Sequence, residues 1–248
     1  MMKQTGMLWG IIATIILCEG VSSDLFAQTD STTASSSSTS YTPPSRIFIM
    51  PTANPIGGGH AYVADYELFM LYGGVGIGDV VSVTAGTSLL LVAPFSAQIY
   101  TAMVKATVAS SDQFSFALAG NLLYISTANQ YFHLYGVMSY LYDSTWITGG
   151  LFYKLSGPDF GLIDAGRLGS IQYIYGGNLG LAVGFDAPLP GFSNARFIGE
   201  LWDHDAQNPS KTAIMLGVRV HNEGFSCDFG FGFGGGLLVP VTNFVYSW

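Results

Sequence analysis

Between Phe225 and Phe233 the chain alternates without a break: Phe225, Cys227, Phe229, Phe231 and Phe233 share one parity, and Ser226, Asp228, Gly230 and Gly232 share the other. Successive side chains of an extended strand point to opposite faces, so the stretch predicts a strand with one aromatic face and one small or acidic face. The division recurs upstream. Val81, Val83, Ala85 and Leu89 oppose Ser82, Thr84, Gly86 and Ser88, and Phe114, Phe116, Leu118, Leu122 and Tyr124 oppose Ser115, Ala117, Ala119 and Asn121. Ile214, Leu216, Val218 and Val220 stand against Arg219 and His221. Between Tyr62 and Tyr72 the pattern groups Tyr62, Tyr66, Leu68, Met70 and Tyr72 on the apolar side and Asp65 and Glu67 on the other. From Arg46 onward the chain divides into about twelve such segments separated by turn residues, with ten or fourteen as the alternative counts. The first strand is expected near Arg46 to Ala53 and the last near Leu237 to Trp248.

Alternation alone also fits a water-soluble sandwich or barrel, in which the apolar face would be the inner one. Composition changes the picture. Only 10% of residues are charged, aromatics are 14% and glycines number 32, against roughly a quarter charged in a soluble domain. The face opposite the apolar one holds mostly Gly, Ala, Ser and Asn instead of Lys, Glu and Gln, which suits the crowded interior of a small barrel. Past residue 30 no apolar run approaches the ~20 residues of a membrane helix. A closed barrel then remains as the way to pair every backbone group in lipid. The expectation is an all-β, closed antiparallel transmembrane β-barrel with its apolar side chains facing acyl chains.

The punctuation agrees. Gly76 to Asp79, Ser110 to Asp112, Asp143-Ser144 and Asn222 to Gly224 are tight, while Asn54 to Gly59, Ser156 to Gly169 and Asp203 to Lys211 are longer. Short periplasmic turns alternating with longer outer loops are characteristic of such barrels; Ala187 to Asn194, with Pro188 and Pro190, is long for its place. At the N-terminus, Lys3 precedes an apolar stretch from Met7 to Leu17 that is too short to span a bilayer and reads as an export signal. Residues 1–28 are assigned to that signal, with the mature chain starting between Val21 and Thr29. The Ser/Thr-rich stretch 29–44 buries too little apolar surface to order itself and reads as a flexible leader, and 45–248 is the barrel. Cys18 lies in the signal, which leaves Cys227 as a single thiol with no internal disulfide. A net charge of −8 with no Lys/Arg cluster disfavours a nucleic-acid partner.

The closing residues, Leu237 to Trp248, with Phe244, Tyr246 and Trp248 at alternate positions, resemble the terminal strand of Gram-negative outer-membrane β-barrel proteins of porin-like architecture. Tyr72-Gly-Gly-Val-Gly-Ile-Gly-Asp79 followed by Val81 to Gly86 is similar to a periplasmic hairpin of that class. The resemblance covers the chain from about Arg46 to Trp248. It implies residence in the outer membrane, contact with its lipid, and recognition of Phe244, Tyr246 and Trp248 by periplasmic chaperones and the barrel-assembly machinery. A terminal Trp in place of the commoner Phe, and Pro240 and Thr242 further up, depart from the family pattern.

Parity places Asp65, Glu67, Glu200 and Asp228 in the lumen with Lys105, Lys154, Arg196 and Arg219. Such a set either forms a charged constriction that selects solutes or pairs internally and fills the interior, because an unpaired charge in a narrow barrel is costly. Trp202-Asp-His-Asp205 is the one place where His is flanked by carboxylates; a hydrolase would need Asp203, His204 and Asp205 brought together, and the plainer reading is a solvated loop. No spacing ties a serine to His133 or His221 for nucleophilic attack. The runs Gly57-Gly59 and Gly234-Gly236 lack the Lys-Ser/Thr of a phosphate loop and read as turns. Tyr62, Tyr72, Trp146, Tyr246 and Trp248 suit interfacial girdles. No cofactor or metal is implied. The functional expectation is a passive channel or transport-related barrel for small polar solutes, with a structural or surface-interaction barrel as the alternative and a lipid-modifying or proteolytic enzyme behind both.

Overall fold

The computed structural model describes residues 45–66, 70–88, 98–126, 129–158, 160–164, 170–174, 178–206, 212–234 and 237–248. Its strands are β1 (Ala61–Tyr66), β2 (Met70–Ile77), β3 (Val81–Ser88), β4 (Tyr100–Ser110), β5 (Phe114–Ser126), β6 (Asn129–Tyr142) and β7 (Thr145–Ser156), then β8 (Phe160–Asp164), β9 (Ser170–Ile174), β10 (Leu179–Pro188), β11 (Ala195–Asp203), β12 (Thr212–Asn222), β13 (Phe225–Gly234) and β14 (Leu237–Ser247). Twelve of them close into an antiparallel barrel in which β1 pairs with both β2 and β14, while β8 and β9 form a separate hairpin between β7 and β10. The strand count of the wall therefore matches the alternation, and the hairpin accounts for the fourteen strands in total. Closure runs through Tyr62↔Ser247 to Tyr66↔Asn243, extended by mutual 3.0 Å backbone hydrogen bonds between Ala61 and Trp248.

Both chain ends of the wall and the connections 78–80, 111–113, 143–144, 189–194 and 223–224 lie at one rim, and the three longest connections, 89–99, 157–178 and 204–211, lie at the other together with the shorter 67–69, 127–128 and 235–236. Outward parity carries Val104, Leu118, Leu122, Met138, Leu151, Val183, Leu216 and Phe231, each roughly half exposed. Inward parity carries Ser82, Thr84, Lys105, Ser115, Ser139, Thr148, Asp186, Glu200, Arg219 and Asp228, all buried. An apolar exterior around a polar interior is the transmembrane arrangement, the inverse of a soluble barrel. Phe225, Phe231 and Phe233 are exposed on the outside as their alternation predicts, and Phe229 packs edge-on to Phe244 there, with ring centroids 6.4 Å apart.

Two expectations are corrected. Arg46 to Ala53 is not the first strand: it pairs with no wall strand, and Ile47, Phe48, Met50 and Ala53 are buried to within 1% inside the barrel. Pro51 explains the difference, since proline removes a ladder donor and is confined to strand edges. The parity of β1 and β2 is also reversed. Tyr62, Tyr66, Met70 and Tyr72 face inward, and Val63, Asp65, Leu71, Val75 and Ile77 face outward. Aliphatic side chains take the lipid face here, and the tyrosines gather inside, Tyr66 and Tyr72 in edge contact at 4.6 Å. Tyr62 and Tyr72 are thus not girdle residues, nor is Trp146, which points inward; Tyr246 and Trp248 are exposed outside and stack with centroids 5.7 Å apart.

Candidate functional site: a stoppered lumen

Residues 45–54 form a small hairpin inside the barrel. Its limbs are joined by an antiparallel bridge between Arg46 and Pro51 and by hydrogen bonds from Ile47 N–H to the Met50 carbonyl and from Thr52 N–H to the Ser45 carbonyl, both 2.9 Å. A segment enclosed this way must satisfy its backbone groups without water. The wall does so with side chains.

Lys105 on β4 donates to the carbonyls of Thr52 at 2.7 Å, Asn54 at 2.6 Å and Ser45 at 3.4 Å. Thr107 donates to the Ala53 carbonyl at 2.8 Å, and Ala53 N–H donates to Ser139 Oγ at 2.9 Å. Ser115 donates to Asn54 Oδ1 at 3.0 Å. On the opposite wall Glu200 Oε1 accepts from Ile49 N–H at 2.9 Å and Met50 N–H at 2.8 Å, while its Oε2 accepts from Trp202 Nε1 at 2.8 Å. Arg219 Nη2 donates to the Ile47 carbonyl at 2.6 Å. The Arg46 guanidinium lies 3.7 Å from the centre of the Tyr66 ring and 5.9 Å from that of Tyr62, close enough for cation–π attraction.

The inner glycines and alanines of β7 and β10 make room for the apolar side chains of this hairpin. A Cβ at Gly150 would stand 3.3 Å from Met50 Cε, and one at Gly184 would run into Ile47 Cδ1. Small residues that suit a crowded interior are here the socket for an internal segment.

Of the eight predicted lumen charges, Lys105, Lys154, Arg196, Glu200, Arg219 and Asp228 are buried inside. Asp65 is not: it sits on the outer face of β1, opposite Leu71 and Phe244. Glu67 lies outside the described residues. Arg219 holds Asp228 through Nε at 2.6 Å and Nη2 at 2.8 Å, and reaches Asp186 Oδ2 at 3.1 Å. Asp186 also pairs with Arg196 Nε, and Arg196 Nη2 donates to the Asp186 and Ser144 carbonyls at 2.9 and 2.8 Å. Internal pairing describes this cluster, whereas Lys105 and Glu200 bind the hairpin's backbone. Asp186 was missed, although Leu179, Leu181, Val183 and Phe185 alternate with Gly180, Ala182, Gly184 and Asp186 and so place it inside.

At the other candidate positions, Asp203 Oδ1 accepts from Asp205 N–H at 3.0 Å, a local turn bond, and His204 stacks on Trp202 with ring centroids 6.2 Å apart. Among the described residues no group of three His, Cys, Asp or Glu side chains is placed to hold a metal. Gly57 and Gly59 adopt φ of +91° and +80°, which lets the 55–60 link turn close over Gly76 and Gly78; Gly235 and Gly236 lie outside the described residues. Phe244, Tyr246 and Trp248 share the outward parity of β14.

No protein-family model matches the chain, and no curated protein matches it. Among solved structures it is similar to the KdgM porin, at 8% identity and a TM-score of 0.46, covering 76% of this chain and 95% of that one. It is similar also to the NanC porin, at 9% identity and a TM-score of 0.45, covering 76% and 97%. A mutant of the Rh. blastica porin matches at 11% identity and a TM-score of 0.39, covering 72% of this chain and 55% of that one. At these levels the similarity carries no argument about solute or activity.

Proposed function

We propose that this chain is an outer-membrane passage for small polar solutes whose lumen is stoppered by its own residues 45–54. One observation carries the reading: the stopper contributes no strand to the wall, and its bonds to the wall come from wall side chains, chiefly Lys105, Glu200 and Arg219. Its withdrawal would leave every ladder hydrogen bond of the twelve-strand wall intact and expose a lumen of small and charged residues. The export signal at 1–28, the leader at 29–44 and recognition of Phe244, Tyr246 and Trp248 by the assembly machinery belong to the same proposal.

Planar-bilayer recording on the full chain tests it. The expected result is rare, brief openings for the wild type and frequent ones for a Lys105→Met/Glu200→Ala double variant. A silent membrane with both proteins would remove the passage reading. The enclosed Arg219–Asp228–Asp186–Arg196 cluster favours a second reading, a rigid filled barrel that serves as a structural or surface-interaction protein, and silence from both proteins is what that reading expects.

A further inference from the structure

Beyond the tip of the stopper, on the long-loop side, lies a cavity of about 490 Å³. Ile49 at the tip is 53% exposed although it sits within the barrel, and it lines this cavity together with Trp202, Tyr135, Met215 and Val241. The opposing wall is cut back to Ala213 and Gly232. None of Lys105, Glu200, Arg219 or Asp228 is among its described lining; the polar groups there are Asn121, His133, His204, the Tyr135 hydroxyl and the Trp202 indole N–H, with the buried Lys154 paired in register with His133. A chain of ring contacts runs along it: His204 stacks on Trp202, and tilted contacts follow, Trp202 against Phe152 at 5.6 Å, Phe152 against Tyr135 at 5.9 Å, and Tyr135 against His133 at 6.1 Å.

Around the limbs of the stopper the inner wall carries charges and hydroxyls, among them Lys105, Thr107, Ser139 and Arg219. The cavity lining is mainly aliphatic and aromatic, with a few hydrogen-bonding groups on one side. Its volume falls within the ~300–1,000 Å³ of small-molecule sites, whose lining has that same composition. An apolar tip left half exposed in a pocket of this kind is a surface that an apolar occupant would cover, with the gain that follows from removing apolar area from water.

We propose that this cavity is a binding site for a compact aromatic molecule, of about two fused rings, that carries one hydrogen-bonding group. The ring system rests on Ile49 and against Trp202, and the polar group faces Asn121 and the histidines. The site goes beyond the passage reading, because it holds whether or not the barrel conducts. Floor and wall are also tied together: Glu200 binds the Trp202 indole N–H with one oxygen and the Ile49 and Met50 amides with the other. An occupant that packs on Ile49 favours the docked stopper, and by linkage the docked stopper favours the occupant.

The test is calorimetric titration of the full chain in lipid nanodiscs with 2-naphthol, with empty nanodiscs subtracted and glucose as a polar comparator. Saturable 1:1 binding of 2-naphthol, absence of glucose binding, and at least about tenfold weakening in Gly232→Leu support the site. A Cβ at Gly232 meets nothing nearer than Met215 Cγ and Val241 Cγ2, both at 3.4 Å, so this substitution fills the cavity without straining the wall. Ala213→Leu serves the same purpose if Gly232→Leu does not fold, as judged by heat-modifiable migration. Heat that matches partition into empty nanodiscs, affinity unchanged by the filling substitution, or equal binding of glucose would each overturn the proposal.

Discussion

Replacing Glu200 by Ala tests how firmly the stopper is held. The carboxylate accepts two hydrogen bonds from stopper amides, 2.9 and 2.8 Å long, in a fully enclosed position. Hydrogen bonds to a charged group contribute about 1.5–3 kcal/mol each, and within membrane proteins measured values fall toward the low end. The third bond, to Trp202 Nε1, lies within the wall and is lost equally whether the stopper is docked or withdrawn, so it cancels. About 3 kcal/mol of docking free energy should therefore disappear, a rise of about 150-fold in the withdrawn fraction. A reporter follows from Thr52, which is buried at 4% exposure in the stopper. In a Thr52→Cys chain with Cys18 and Cys227 replaced by Ser, an impermeant thiol reagent can react only after withdrawal. Glu200→Ala is expected to raise the labelling rate by about two orders of magnitude, and Glu200→Gln, which keeps an acceptor oxygen, by less. An unchanged rate, or a rise matched by an equal rise in global unfolding by urea, would refute the reasoning.

Arg219→Ala removes both guanidinium bonds from Asp228, leaving it the Asn243 amide at 3.4 Å, and takes one partner from Asp186, and should destabilise the barrel by about 3 kcal/mol in urea titrations on lipid vesicles. Asp65→Leu should stabilise it by about 1 kcal/mol in the same titration, because Asp65 places a carboxyl oxygen without a hydrogen-bond partner on the lipid face. Gly150→Leu drives a side chain toward Met50, while the nearest wall atom, Gly136 O, stays 3.6 Å from the added Cβ, and should expel the stopper without breaking the wall, read as fast Thr52→Cys labelling with unaltered heat-modifiable migration. Trp248→Ala keeps the backbone bonds to Ala61 and should slow assembly in cells while leaving the stability of the refolded barrel within about 1 kcal/mol.

Alternation read the wall well where one face is aliphatic or phenylalanine and the other small. β3, β5, β12 and β13 behave that way, and their registers place Ser82, Ser115, Arg219 and Asp228 inside. It failed on β1 and β2 because tyrosine is amphipathic: Tyr62, Tyr66 and Tyr72 were grouped with the leucine-like residues, while Val63, Leu71 and Val75 carried the true lipid signal. The stopper was misread for a related reason. Arg46 to Ala53 has the apolar content of a strand, and nothing local distinguishes a segment satisfied by ladder bonds from one satisfied by Lys105 and Glu200, which lie about 50 and 150 positions away in the chain. Pro51 was the one available sign. The cavity behind Ile49 depends on which strands meet across the lumen, and that is a property of closure.

The 55–60 link leaves the stopper attached to β1 at the rim that carries the 78–80 turn, anchored by Ile56 N–H to Ser82 Oγ at 3.0 Å and by Gly58 N–H to Asp79 Oδ1 at 3.1 Å. So short a leash keeps a withdrawn segment at millimolar effective concentration beside its socket. Recapture is therefore unimolecular and independent of how many copies the membrane holds, so each barrel resets itself without a second protein to close it.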